Sequence, residues 1–183
     1  MFLFNLLDIF QRRMILYHLK KKPNIKFDGI FKMGIKNHFT IYKNIKRLVI
    51  GNNVSFRNYI HILVMKNAEL IIKDNVFMNN NCSINCMEKI DIGRNTIFGE
   101  NVKIYDHNHK IEIEKGLQFA SHTEFTTAPV TIGNHCWLGS NVTILKGVTI
   151  GDNSIIGAGC VIHKSIPPNT TVINKQNLLF KTD

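Results

Sequence analysis

Apolar residues return at every sixth position along much of this chain. From Ile132 the series runs through Leu138, Ile144, Ile150, Ile156 and Ile162 without a slip. The fifth position of the same units is small: Cys136, Val142, Val148, Ser154 and Cys160. Earlier units are Ile50-Gly51-Asn52-Asn53-Val54, Ile92-Gly93-Arg94-Asn95-Thr96 and Phe98-Gly99-Glu100-Asn101-Val102, and Ile72-Lys73-Asp74-Asn75-Val76 lacks its glycine. Six residues make a short strand and a turn, too little to bury anything alone. With positions 1 and 5 inward and Gly or Asn taking positive φ at the turn, three units close a triangular coil. Coils then stack at about the 4.8 Å strand spacing, and the stacked first positions form one continuous core. The pattern also predicts breaks. Ile104 and Ile132 are 28 residues apart, four beyond whole hexads, so an excursion leaves the coil near 105–130; smaller slips fall between 50 and 72 and between 72 and 92.

Before the repeat, Leu3, Leu6, Leu7, Phe10, Met14 and Tyr17 fall at helical spacing, followed by Arg12, Arg13 and Lys20–Lys22, until Pro23 ends the helix. The organisation expected is a basic amphipathic helix over 1–24, a coil domain over 25–173 and a tail over 174–183. Such a stripe ordinarily packs on the domain. The other reading rests residues 1–22 on an anionic membrane surface, at the cytoplasmic face.

Charge sharpens this choice. The chain of 183 residues carries 23 Lys+Arg against 13 Asp+Glu, yet residues 1–50 hold eleven of the bases and only Asp8 and Asp28 as acids. Basicity therefore belongs to the N-terminal quarter and suits an anionic acceptor or a membrane. No nucleic-acid partner is expected, because no aromatic platform interleaves the lysines and no recognised motif appears. The apolar run Met1–Leu7 is too short to span a bilayer, and no signal-peptide cleavage site follows it. Cys82, Cys86, Cys136 and Cys160 form no C-x-x-C pair, which points to a reduced, cytoplasmic setting.

The stretch from Pro129 through Trp137-Leu138-Gly139-Ser140 to Ile166-Pro167-Pro168-Asn169-Thr170 resembles the hexapeptide-repeat acyltransferases. Within them it is most similar to the galactoside and maltose O-acetyltransferases and their polysaccharide-modifying relatives. The resemblance covers about residues 48–173. It implies a left-handed parallel β-helix, a homotrimer with active sites between subunits, acetyl-CoA as co-substrate, no metal, and a sugar or polysaccharide acceptor.

Acetyl transfer to a hydroxyl needs a base, and neutral imidazole suits that role near neutral pH. His107 and His109 compete in the segment Ile104-Tyr105-Asp106-His107-Asn108-His109. Counting from Ile104 puts His109 at the sixth position of its unit, where the resemblance puts the catalytic histidine. His107 is then a substrate or supporting group, and Asp106 orients one of the two. By the same resemblance Asn79 contacts the acceptor, Trp137 lies beside the transfer cleft, and Ser140 sits near the thioester carbonyl. Ala158 faces pantetheine, and His163 and Lys164 stand where the family has Thr-Lys, with Lys164 a phosphate contact. The chain departs from the family after its Pro-Pro-Asn turn, where Lys175 and Lys181 are the remaining cations.

Three alternatives follow from the same residues. N-acylation of an amino sugar uses the same fold and base. A zinc hydratase resembling the γ-type carbonic anhydrases would draw ligands from His107, His109, His122 and His135, although their spacing matches no three-ligand set. An ice-binding helix would need a flat rank of threonines, and Thr143 and Thr149 make only a short one.

Overall fold

The structure, a computed structural model, describes residues 2–176 and 181. One helix, α1 (Phe2–Lys20), precedes six stacked coils of three strands each. The first coil is β1 (Ile25–Phe27), β2 (Phe31–Met33) and β3 (His38–Ile41), and the second is β4 (Arg47–Ile50), β5 (Val54–Phe56) and β6 (His61–Val64). The third is β7 (Glu69–Ile72), β8 (Phe77–Met78) and β9 (Ser83–Cys86), and the fourth β10 (Lys89–Ile92), β11 (Ile97–Phe98) and β12 (Lys103–Tyr105). A hairpin, β13 (His107–Glu114) and β14 (Leu117–Thr127), then leaves the stack. The fifth coil is β15 (Val130–Ile132), β16 (Trp137–Leu138) and β17 (Thr143–Ile144), and the sixth β18 (Thr149–Ile150), β19 (Ile155–Ile156) and β20 (Val161–Ile162), with β21 (Thr171–Val172) opening a seventh.

Equivalent strands of successive coils pair in parallel, giving three sheets: A from β1 to β18, B from β2 to β21 and C from β3 to β20. This is the parallel β-helix that the hexads predict. Its core is three columns of aligned side chains. Ile50, Ile72, Ile92, Ile132 and Ile150 are in register in sheet A, Phe56, Met78, Phe98, Leu138 and Ile156 in sheet B, and Ile62, Ile84, Ile104, Ile144 and Ile162 in sheet C. All are buried, at 4% exposure or less. Each contributes on the order of 1.5–3 kcal/mol on leaving water, so the column, not any one unit, holds the stack. The small fifth positions are buried as well, and the polar ones find partners there. Thr96 Oγ1 donates to Gly133 O at 3.0 Å, and Ser154 Oγ donates to Pro167 O at 3.1 Å.

The corners explain Gly and Asn. Asn53, Asn75, Asn95, Asn101, Asn141, Asn153 and Asn169 all have positive φ, which Asn tolerates best after glycine. Gly93 answers a different demand: a Cβ there would lie 2.3 Å from the Gly133 backbone of the next coil.

Coils shorten along the stack. Register partners are 23 residues apart from Phe27 to Ile50, 22 from Ile50 to Ile72 and 20 from Ile72 to Ile92. They are 18 apart from Ile132 to Ile150 and 16 from Ile150 to Ile166. The slips read from the sequence are thus coils whose strands run to three or four residues. The stack also begins one full coil before the first legible hexad, because 25–46 forms a coil without the Gly-Asn units. Ile92 and Ile132 are 40 residues apart in register, so the excursion is a 22-residue insertion into an 18-residue coil.

The helix corrects one expectation. α1 packs on the first coil through Leu19, 5% exposed, and Ile15, whereas Phe10, Met14 and Tyr17 of the predicted stripe are exposed. The side chains of Leu3, Leu6 and Leu7 lie outside the described residues, as do residues 177–180 and 182–183 of the predicted tail. No helix among the described residues is long and apolar enough to cross a membrane.

Candidate functional site

Sheet C alternates inward and outward, and this alternation builds the site. Val64 in β6 and Cys86 in β9 take its last inward rank, and Asp106, just after β12, takes the same rank in the fourth coil. A carboxylate in a core column costs too much unless its oxygens are bonded. They are: Asp106 accepts from the backbone N–H groups of Met87 (2.8 Å), Glu88 (2.7 Å) and Lys89 (2.9 Å), and it is fully buried. Asp106 thereby clamps the preceding corner and fixes the point at which the hairpin departs. Ala128 N donates to Asp106 O at 2.9 Å, which closes the neck of the hairpin.

His107 follows directly. Its Nδ1 lies 3.3 Å from Asp106 Oδ1, and its side chain is only 13% exposed, edge-on to Tyr105 and Phe125. His109 is exposed and held differently. Its Nδ1 lies 2.7 Å from Ser121 O, and its ring leans on Phe125 at 4.7 Å between centroids. A carbonyl oxygen only accepts, so Nδ1 carries the ring proton and Nε2 of the neutral imidazole carries the lone pair. That arrangement is what a general base requires.

The Ser121 carbonyl reaches His109 because the hairpin is bulged. His109 pairs with Phe125 and Ile111 with Ala120, so residues 121–124 of β14 stand opposite Lys110 alone. Ser121 Oγ accepts from Glu124 N at 3.2 Å, and Lys110 pairs with Glu124 across the bulge. Bulges recur where a side chain must be re-aimed next to a site. Sequence reasoning missed Ser121 and Phe125, since a serine and a phenylalanine twelve and sixteen residues beyond the histidine carry no local signal.

The other predicted residues lie elsewhere. Asn79 is half-buried in the corner after β8, with its Oδ1 accepting from Asn80 N at 2.9 Å. One rank on, Ser140 Oγ accepts from Glu100 N at 3.2 Å, and Ala158 is exposed a coil further along. Trp137, 53% exposed, stands on the outer face of sheet B between Ile97 and Ile155. His163 and Lys164 are exposed just after β20. The histidines thus gather with Asp106 at the corner after sheet C, whereas Asn79, Trp137, Ser140 and Ala158 line sheet B and the corner before sheet C. From Glu100, the neighbour of Ser140, to Asp106 is one side of the coil, roughly 20 Å at strand rise. Asp106 itself faces no solvent, so it meets His107 rather than a bound substrate.

The four cysteines are core residues. Burial pushes every one of their thiols up, with Asp106 adding to the effect at Cys86, so none is disposed to act as a nucleophile. No three His, Cys, Asp or Glu side chains come together as a metal site among the described residues. His135 is remote from the other histidines of the hydratase reading: it stands in a ladder of asparagines on the corner between sheets A and B, 3.3 Å from Asn95.

Residues 129–164 match the family model described as bacterial transferase hexapeptide (six repeats). Galactoside O-acetyltransferase of Escherichia coli is 41% identical over 102 residues, 56% of this chain and 48% of that protein. An Escherichia coli protein named as a lipopolysaccharide biosynthesis O-acetyl transferase, WbbJ, is 34% identical over 108 residues, 56% of this chain and 55% of that protein. Among solved structures, a hexapeptide-repeat-containing acetyltransferase from Vibrio cholerae superposes with a TM-score of 0.57 at 26% identity, covering 67% of this chain and 66% of that one. The chain spans about half the length of the curated relatives it matches. Unbroken hexads, buried aliphatic columns and these matches make residues 129–164 a bacterial transferase hexapeptide segment within a parallel β-helix.

Proposed function

We propose that the chain is an acetyl-CoA-dependent O-acetyltransferase acting on a sugar hydroxyl of a surface polysaccharide or its precursor, with His109 as general base. The observation that carries the assignment is the bond from His109 Nδ1 to Ser121 O, which leaves Nε2 as the proton acceptor on an exposed ring. Relatives named as sugar and lipopolysaccharide O-acetyl transferases support the substrate class. The acceptor hydroxyl attacks the thioester carbonyl while its proton passes to His109 Nε2, and the same proton then serves the departing thiolate of CoA. With the thiols buried, the acetyl group passes directly to the hydroxyl. His107, locked to Asp106, serves as a supporting or substrate-contacting group beside the base.

The residues at the corner between sheets B and C fit the donor. Gly157 and Gly159 flank Ala158, and Ser140 stands one coil away, so short side chains leave a track along the coil axis for an extended pantetheine arm. Trp137 offers an apolar wall next to that track, and Lys164 and His163, at the corner after sheet C, offer donors to phosphate. One side of a coil separates the track from His109, so the complete site takes residues from two chains, which favours a homotrimer. The exposed Ile111, Ile113, Leu117 and Phe119 of the hairpin supply apolar surface for that assembly. Use of acetyl-CoA as donor favours a cytoplasmic reaction.

Thiol release from acetyl-CoA, with a panel of sugar acceptors, tests the reading. His109→Ala is expected to lower kcat by about 10²- to 10⁴-fold while CoA binding measured by calorimetry is kept. Turnover close to that of the unaltered chain in this variant would overturn the assignment of His109. Failure of the unaltered, folded protein to bind CoA would overturn the transferase reading itself.

A further inference from the structure

The end of the stack remote from β21 carries a surface that acetyl transfer does not use. α1 contacts the first coil through Leu19 and Ile15, and Arg12 Nη1 donates to Met33 O at 3.1 Å. Phe10 (63% exposed), Met14 (43%) and Tyr17 (57%) stay in solvent, at the i, i+4, i+7 spacing that aligns them on one helix face. Beside them a cleft of about 620 Å³ opens between α1 and the first coil, walled by Phe10, Met14, Phe39 and Ile41, with Lys22 and His38 among its lining. Apolar side chains in such number are rarely left facing water without a partner.

The surrounding charge is predominantly positive, with Asp28 paired to Lys26 at its edge. Residues 9–27 contain no Asp or Glu and six Lys and Arg. Arg13, Lys20, Lys21 and Lys22 are all exposed, and Lys21 Nζ lies 4.1 Å from the Tyr17 ring centroid. We propose that this face docks on an anionic lipid bilayer, with Phe10, Met14 and Tyr17 entering the boundary of the acyl region and the cations meeting lipid phosphates. Charge argues against a second copy of the same face, because a self-complementary contact would bring two sets of like charges together. A nucleic acid would meet the cations and leave the apolar stripe in water. A bilayer satisfies both halves of the surface. The proposal is independent of the acetyl-transfer reading, since none of these residues belongs to the candidate site.

Co-sedimentation of the full chain with phosphatidylcholine vesicles, with and without phosphatidylglycerol, tests it. Affinity is expected to be at least about tenfold higher with phosphatidylglycerol present, and to fall at about 0.5 M salt, where screening shortens the reach of the cations. Phe10→Asp with Met14→Asp should lose binding about tenfold or more with an unchanged melting temperature, as both side chains are exposed. Arg13→Glu with Lys20→Glu should lose the preference for phosphatidylglycerol. Equal binding to both vesicle types, salt-insensitive binding, or retention by the double Asp variant would overturn the proposal. A fall in molecular mass of that variant by sedimentation velocity would overturn it too, showing that the stripe joins copies of the chain. Acetyl transfer to a soluble sugar should be the same in all variants, so this failure is separable from a failure of the transferase reading.

Discussion

In β9 and β10 every second side chain is buried, whereas β13 buries none of its eight and β14 buries only Ser121. Only residues 93–106 separate the two regions in sequence, and both consist of strands. Each coil is sandwiched between coils above and below, so an inward side chain meets its own kind twice and leaves water completely. The hairpin has its own ladder, its neck at Asp106 and Ala128, the contacts of His107 with Asp106 and Tyr105, and a bond from Lys146 Nζ to Thr126 Oγ1 at 2.9 Å. Stability in this molecule therefore lives in the stack, and the proposed base lies on an arm that the stack merely anchors. The arm is where Ile113 (70% exposed) and Leu117 (73%) remain in solvent.

The contrast is most easily broken in the core columns. Ile92→Ala and Ile144→Ala each remove a fully buried side chain with neighbours on two coils, and each should cost about 2–5 kcal/mol in urea denaturation. The same change at Ile113 should stay within about 0.5 kcal/mol for the isolated chain. Equal losses at Ile144 and Ile113 would mean that the hairpin is as integral as the coils.

Two glycines sharpen the comparison at the next level. Gly93→Ala would put a methyl group 2.3 Å from the Gly133 backbone and should cost about 1–3 kcal/mol or more, since neither coil can give way without the other. Gly116, in the hairpin turn, has φ +80° and nothing within 4 Å of an added Cβ, so Gly116→Ala should cost only the conformational penalty, about 1–2 kcal/mol. A Gly116 variant less stable than the Gly93 variant would reverse the argument.

Acid should separate the regions again. Glu69, on sheet A in the third coil, is buried and bonded to Lys46 and Arg47 at 2.9 Å each, and these bonds pull its carboxyl from 4.5 down to about 2. Its folded pKa lies below its unfolded one. The stabilisation is thus present above about pH 4.5 and is lost as pH falls toward 2. Thermal melts of Glu69→Gln should be flatter across that window than those of the unaltered chain; parallel curves would refute the role given to this cluster. The smallest effect on the fold is expected from Ile111→Ser with Ile113→Ser. Melting of the isolated chain should hardly move, while sedimentation equilibrium should report weaker formation of the proposed trimer. An unchanged mass would remove the hairpin from the assembly contacts.

Much of this was legible beforehand because a hexad is local information. Ile132 to Ile162 and their small fifth positions announce both the coil and its core without reference to distant residues. The first coil was not legible by that rule. Phe27, Met33 and Phe39 do keep the step of six, but Ile50 follows Phe39 by eleven and the Gly-Asn units are missing, so the run is too short to announce a coil. Asp106 could have been placed by counting two residues on from inward Ile104, and the meaning of that position appears only when the amides of 87–89 come round to meet it. The helix stripe misled for a similar reason. Phe10, Met14 and Tyr17 define a face by spacing, but Leu19 and Ile15 are the side chains that the first coil covers.

By itself, then, the sequence determined the repeat, the inward columns, the site of the excursion and the two histidines at its root, since each follows from spacing within a few residues. The tertiary structure decided which histidine nitrogen is free, which face of α1 meets solvent, and how far the histidines stand from Ser140 and Ala158. Those outcomes depend on a bulge that carries Ser121 back to His109, and on coils that put residues twenty or forty positions apart side by side. No local pattern encodes a contact whose partner is supplied by the next turn of the stack.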